Sequence, residues 1–177
     1  VGKEWDTPKV QIWDKTDKKS PLNNFQHRFL DRDKPYPGID ILAVDIDGDG
    51  VEDVVCGKWW YQASSWERFE IPEAHQVIAA YDVDKDGQDE LIATREAEGA
   101  ESFFEGLSSK FICLKPVNPE QGEWQIYEIG EGNGSWPHGS FIGPILPEGQ
   151  VGFIAAYHSA KHEGDYPELF TVPEDLA

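Results

Sequence analysis

Apolar residues along this chain come in short runs, each stopped by an acidic or glycine-containing segment. Ile39 to Val44 gives way to Asp45-Ile46-Asp47-Gly48-Asp49-Gly50-Val51-Glu52-Asp53, and Val54 to Cys56 follows it. Val77 to Tyr81 likewise gives way to Asp82-Val83-Asp84-Lys85-Asp86-Gly87-Gln88-Asp89-Glu90, with Leu91 to Ala93 beyond. Runs this short, bounded by turn residues, predict strand-loop-strand units. Further on, Trp66-Glu67-Arg68-Phe69-Glu70-Ile71 and Trp124-Gln125-Ile126-Tyr127-Glu128-Ile129 share a Trp-x-x-aromatic-x-Ile pattern. Its alternation suits a strand with one buried face. Phe25 to Leu30 repeats it in degraded form, and Val10 to Trp13 resembles Phe111 to Leu114. Ser140 to Ile145, Val151 to Tyr157 and Glu168 to Val172 supply three more strands. No stretch sustains a helical period, so very little helix is expected.

The acidic loops recur with the strands, Asp82 following Asp45 by 37 residues. That is the size of one four-stranded propeller blade. The chain is therefore expected to be all-β, built of four-stranded β-propeller blades. About three are present, a partial propeller or a piece of a larger one, since closed propellers need roughly 4–8. The expected division is the end of one blade over 1–37, a blade with an acidic loop over 38–72, and a second over 73–130. Residues 96–109 are an insertion in that second blade, and 131–177 form an incomplete blade whose loop, Leu146 to Gln150, has lost the Asp-x-Asp-x-Asp acids of the other two and should bind no metal. Unpaired edge strands would invite the rest of the propeller, or other copies of the chain.

Each acidic loop has the donors of a calcium site. Carboxylates at positions 1, 3 and 5 converge only around a tight turn, which Gly at position 6 permits. The expected ligands are Asp45, Asp47, Asp49, Val51 and Asp53 in the first loop, and Asp82, Asp84, Asp86, Gln88 and Glu90 in the second. An EF-hand would need Glu at position 12, where this chain has Cys56 and Ala93, and helices in place of the flanking strands. The expectation is two Ca2+ ions in strand-flanked loops closed by an acid at position 9.

Charge narrows the partners. Against 15 Lys and Arg stand 34 Asp and Glu, a net charge of −19. Such a surface repels nucleic acid and anionic membranes. Two calcium ions would cancel only a small part of it. No run of 18 apolar residues is present, so no membrane insertion is expected. Cys56 and Cys113 lie inside apolar runs and suggest buried thiols, with no Cys-x-x-Cys metal or redox motif. Calcium loops of this kind serve best where calcium is millimolar, which favours a secreted or periplasmic protein.

The two nine-residue loops, with the Trp-x-x-aromatic-x-Ile strands behind them, resemble the FG-GAP/VCBS repeats of calcium-binding β-propellers, found in integrin α-chains and in many secreted proteins. His75-Gln76-Val77 and Trp136-Pro137-His138-Gly139-Ser140, the latter leading to Gly152-Phe153-Ile154-Ala155-Ala156-Tyr157-His158, are similar to blades of the aldos-2-ulose dehydratase family. Those fungal sugar enzymes carry a seven-bladed propeller with attached cupin domains. This chain contains no cupin, which puts an isomerase half out of its reach.

His75 precedes Asp82 by seven residues, and His138 precedes Ile145 by the same interval. Both imidazoles would enter an innermost strand from one end, the end at which a propeller channel opens. Gly38 holds that place in the first blade. His158, His162 and Lys161 follow a strand of the third blade toward the same mouth. His75, His138, His158 and Lys161 are therefore the candidates for acid-base work on a sugar. Trp136, beside His138, and Trp60, one of three neighbouring aromatics that cannot all point inward, are the candidate stacking platforms for a carbohydrate ligand. Trp66 and Trp124, recurring with the blade, are expected to pack one blade on the next. The readings that follow are a calcium-stabilised glycan-binding or glycan-processing propeller, a carbohydrate lyase or dehydratase, and an integrin-like adhesion module.

Overall fold

In the computed structural model, contacts divide the chain into two units, Val1–Pro35 and Tyr36–Ala177. The described residues are 29–35, 38, 40–95, 109–160, 167–172 and 176; at 135–136 and 158–160 only the backbone is described. In the first unit, the Arg32 guanidinium lies 4.2 Å from the centre of the Phe29 ring, and the Asp33 N–H donates to Asp31 Oδ1 at 2.7 Å. Most of the expected blade end over 1–37 lies outside the described residues, as do 96–108 of the insertion.

The second unit is all-β, and each of its three antiparallel sheets is made from one consecutive stretch of chain. The first holds β1 (Ile41–Val44), β2 (Asp53–Cys56), β3 (Trp59–Tyr61) and β4 (Arg68–Glu70), in that order. The second holds β5 (Gln76–Tyr81), β6 (Glu90–Arg95), β7 (Lys110–Asn118) and β8 (Glu123–Glu131). The third holds β9 (Gly134–Gly143), β10 (Gly152–Ala160) and β11 (Glu168–Thr171). Helical structure among the described residues is limited to two 3-10 turns, Pro119–Gln121 and Pro147–Gly149. Sequential up-and-down pairing follows from the short connections, which leave an antiparallel neighbour as the nearest partner.

The middle sheet is apolar on both faces because each has a sheet against it. Leu91, Ala93, Ile112 and Leu114 join Val44, Val55 and Trp60 of the first sheet, and Ile71 just beyond it, in one buried cluster. The alternate residues Ile92, Phe111 and Cys113 join Ile142, Phe153 and Ala155 of the third in another. This is the near-continuous apolar pattern of a strand covered on both sides. Burial, with the carboxylates of Glu90 and Asp84 adding to it, pushes the Cys113 thiol up to about 12, so it packs as a hydrophobe; both cysteines are free.

Three expectations need correcting. Trp60 is fully buried and stacked on Phe69, ring centres 4.6 Å apart, so it belongs to the core and offers no platform to a sugar. Trp66 is 41% exposed, in a turn with a left-handed backbone (φ 57°), and does not pack between sheets; Trp124 does, against the cluster joining the first two. The inner strand of the third sheet starts earlier than Ser140 and stops before Ile145, because β10 runs on to Ala160 and pairs it with Gly134. His138 therefore lies within a strand, not ahead of it.

Candidate metal centre

The two acidic loops share most of their hydrogen bonds, atom for equivalent atom, the first adding one from Gly48 N–H to Asp45 Oδ1 at 2.9 Å. Asp45 accepts from the N–H of Asp49 (3.1 Å) and of Gly50 (2.8 Å), as Asp82 does from Asp86 (3.1 Å) and Gly87 (3.1 Å). Asp47 Oδ1 accepts from Asp49 N–H at 3.2 Å, and Asp84 Oδ1 from Asp86 N–H at 3.3 Å. Asp49 and Asp86 each take the N–H two residues on, from Val51 and Gln88. At position 9, Asp53 receives Ile46 N–H at 3.1 Å and Glu90 receives Val83 N–H at 2.8 Å. Short acids that capture nearby backbone N–H groups hold such turns closed. Position 6 needs a left-handed backbone in both loops (Gly50 φ 86°, Gly87 φ 95°), which explains the glycine there. Position 4 is left-handed too, and Gly48 (φ 74°) gives way to Lys85 (φ 64°) in the second loop.

Carboxylate oxygens of Asp45, Asp47 and Asp53 lie within 4.8 Å of one another, as do those of Asp82, Asp84 and Asp86. The donor set is oxygen only, which suits a hard divalent cation. Of the remaining expected ligands, Asp49 and Glu90 fall outside these triads, and Val51 and Gln88 bring N–H groups into the turn. The Gln88 side chain crosses to the first loop and donates to Ile46 O at 3.1 Å, so the two loops touch.

The loops part company behind position 9. Val54 pairs with Tyr61 and Leu91 with Leu114, so Gln62 and Lys115 occupy equivalent places, as do Ala63 and Pro116. Asp53 Oδ1 accepts the Ala63 N–H at 2.7 Å. Pro116 has no N–H to give. Glu90, wholly buried, is left with Oε1 accepting no hydrogen bond. Gln62 sends an amide N–H to Asp47 Oδ2 (2.7 Å), where Lys115 sends an ammonium to Asp84 and on to Asp86 (2.7 Å), 3.5 Å from Glu90 Oε1. Burial raises the pKa values of Asp53 and Glu90, whereas hydrogen bonding from Lys115 lowers that of Asp86. The same bonds, to Asp84 and then Asp86, raise the pKa of Lys115. A single lysine in an apolar run reads as a solvated side chain, so the sequence carries no sign that Lys115 meets the loop.

The candidate channel residues are scattered more widely. His138 is exposed on β9, and His75, half-buried, donates its backbone N–H to Thr94 O at 2.6 Å just before β5. Ser140 Oγ donates to Ile78 O at 2.5 Å, so the two strands touch two residues beyond His138 and three beyond His75. Gly38 breaks the histidine series for a steric reason: a Cβ there would lie 2.7 Å from Cys56 Sγ and from Gly57 N. The side chains of Trp136 and His158 lie outside the described residues, as do Lys161 and His162. Trp59 is the partly open member of its aromatic trio, with the Arg68 guanidinium 4.9 Å and Lys58 Nζ 5.4 Å from its ring centre. Comparison with models of protein families, with curated proteins and with solved structures finds no match to this chain.

Proposed function

We propose that this chain is a calcium-stabilised segment of a β-propeller belonging to a secreted glycan-binding or glycan-processing protein. The observation that carries the metal reading is the duplicated loop, whose hydrogen bonds repeat at an interval of 37 residues around converging carboxylates. Carboxylates gathered this closely repel one another, and a divalent cation removes the repulsion while tying the two strands at each loop together. Asp45, Asp47 and Asp53 would hold one ion, and Asp82, Asp84 and Asp86 the other. The buried, unsatisfied Glu90 Oε1 fits a cation in the second loop.

The propeller reading is supported by the equivalence of positions across sheets. Val55 and Ile92, 1% and 0% exposed, each face the following sheet; the equivalent Ile154 is half-buried and pairs across strands with Phe141 and Leu169, each 54% exposed. An apolar row of that kind is the face on which a further sheet would stack. Location of a glycan near the inner strands rests on the exposed imidazole of His138 and its proximity to β5.

Calcium at about a hundredfold excess over its Kd contributes about 2.7 kcal/mol per site, about 5–11 °C in melting temperature for a chain of this size. Melting with ten millimolar calcium against excess chelator should show such a rise, and Asp47→Ala or Asp84→Ala should each remove one ion from the stoichiometry found by titration calorimetry. Identical melts, with metal-free protein verified by elemental analysis, would end the calcium reading. For the glycan, His138→Ala should weaken binding of a soluble oligosaccharide at least about tenfold while leaving the melting temperature within about 2 °C, since an exposed side chain contributes little packing. An unchanged isotherm across an oligosaccharide panel would remove the site, and growth of ultraviolet absorbance from unsaturated products would make it an enzyme's.

A further inference from the structure

We infer that Lys115 is an internal cation competing with metal at the second loop, so that the two loops, alike in backbone, differ in calcium affinity because one faces Lys115 and the other Gln62. The inference rests on the calcium reading above and adds to it an affinity-setting residue outside both loops. Three observations carry it. Lys115 Nζ meets Asp84 and Asp86, two of the three acids that converge in the second loop, and stands 3.5 Å from Glu90 Oε1. That oxygen is buried and accepts no hydrogen bond, because Pro116 stands where Ala63 donates to Asp53 in the first loop. At the equivalent place the first loop has only the neutral amide of Gln62, bonded to Asp47 and also to Glu120 Oε1 at 2.7 Å.

The chemistry follows from charge. A cation arriving at the first loop meets carboxylates and a neutral donor; at the second it meets an ammonium already hydrogen-bonded to two of its ligands. Charge-assisted hydrogen bonds are about twice as strong as neutral ones, and those from Lys115 must break before Asp84 and Asp86 turn to the metal. The first loop therefore fills first. The second stays ordered without metal because Lys115 offsets part of its charge and bonds Asp84 and Asp86, then fills at higher calcium with the freed ammonium moving to solvent. Glu90 Oε1, which accepts no hydrogen bond and has only the ammonium 3.5 Å away in the lysine-bound state, exchanges that cation for the metal when it fills.

The test is a reciprocal exchange, with calcium alone as the probe. Calorimetric titration of the wild type should resolve two affinities, and Asp47→Ala and Asp84→Ala assign the tighter to the first loop. Lys115→Gln should tighten the second site about ten- to a hundredfold, the value of the charge-assisted bonds lost, and Gln62→Lys should weaken the first by a similar factor. In chelator, Lys115→Gln should lower the melting temperature and Lys115→Arg should not, a readout that needs no metal. Equal wild-type affinities, or a Lys115→Gln protein whose second site is unchanged or weaker, would overturn the competition while leaving the calcium sites standing. No calcium uptake by wild type or either exchange variant would overturn the metal reading and the competition together.

Discussion

Phe111→Ala should lower the melting temperature by about 6–20 °C, among the largest losses expected from a single truncation among the described residues. Phe111 projects from β7 of the middle sheet and is fully buried. Its ring meets Phe153 and Phe170 of the third sheet edge-on, both at 5.1 Å between centres, and Tyr157 at 6.3 Å. Removing it leaves a cavity among three rings that are anchored in other strands and cannot close in. Such truncations cost about 3–5 kcal/mol, and each kcal/mol moves the melting point of a chain this size about 2–4 °C. Phe111→Leu, which keeps most of the volume, should cost less than about 1.5 kcal/mol. A Phe111→Ala protein melting within about 2 °C of wild type would mean that the second and third sheets are not held by this cluster.

Most strands were legible because the signal was local. Apolar runs stopped by Asp and Gly can be neither long helices nor continuous loops, and all three sheets come from consecutive segments, so no distant pairing had to be guessed. Where the local signal failed, something distant had intervened. The stretch from Gly134 to Gly139 contains Pro137 and two glycines and reads as a turn, yet it pairs with β10 out to Ala160, the register shifting between Ala156 and Tyr157. Trp66 repeats with Trp124 in sequence, but its left-handed backbone puts the ring outside the sheet it was expected to join. Alternation puts Trp60 on the face opposite to Trp59 and Tyr61. It could not say which face is covered, because that depends on which sheet lies opposite.

The loops show the same division. Their acids, glycines and mutual register were visible as a repeat, since the hydrogen bonds the two loops share are all made within nine residues of chain. What distinguishes them was not. Gln62, Ala63, Lys115 and Pro116 reach the loops from the far ends of β3 and β7, and only the pairing of Val54 with Tyr61 and of Leu91 with Leu114 identifies them as equivalents. A sequence comparison restricted to the nine-residue motifs sees neither Gln62 nor Lys115. The strands behind them supply opposite answers, a neutral amide in one case and an ammonium in the other.

Asp53→Ala should therefore destabilise the protein with or without calcium, unlike Asp47→Ala, whose effect should appear only when calcium is present. Asp53 is 1% exposed, and its two oxygens accept from different parts of the first sheet, Oδ2 from Ile46 N–H in the loop and Oδ1 from Ala63 N–H beyond β3. It closes the sheet whether or not it holds an ion. Losing it strands two donors, and hydrogen bonds to a charged group contribute about 1.5–3 kcal/mol each, against which relief from burying the charge returns a part. A net loss of about 2–4 kcal/mol, or about 4–16 °C, is expected in chelator. Asp47 takes the Gln62 amide and one N–H of its own turn near the surface, so Asp47→Ala in chelator should stay within about 1 kcal/mol of wild type. Adding calcium then separates the two roles: wild type gains at both loops, and each variant gains only at the second. If Asp53→Ala melts like wild type in chelator, the acid at position 9 serves the ion alone, and the strand-tying role assigned to it here fails.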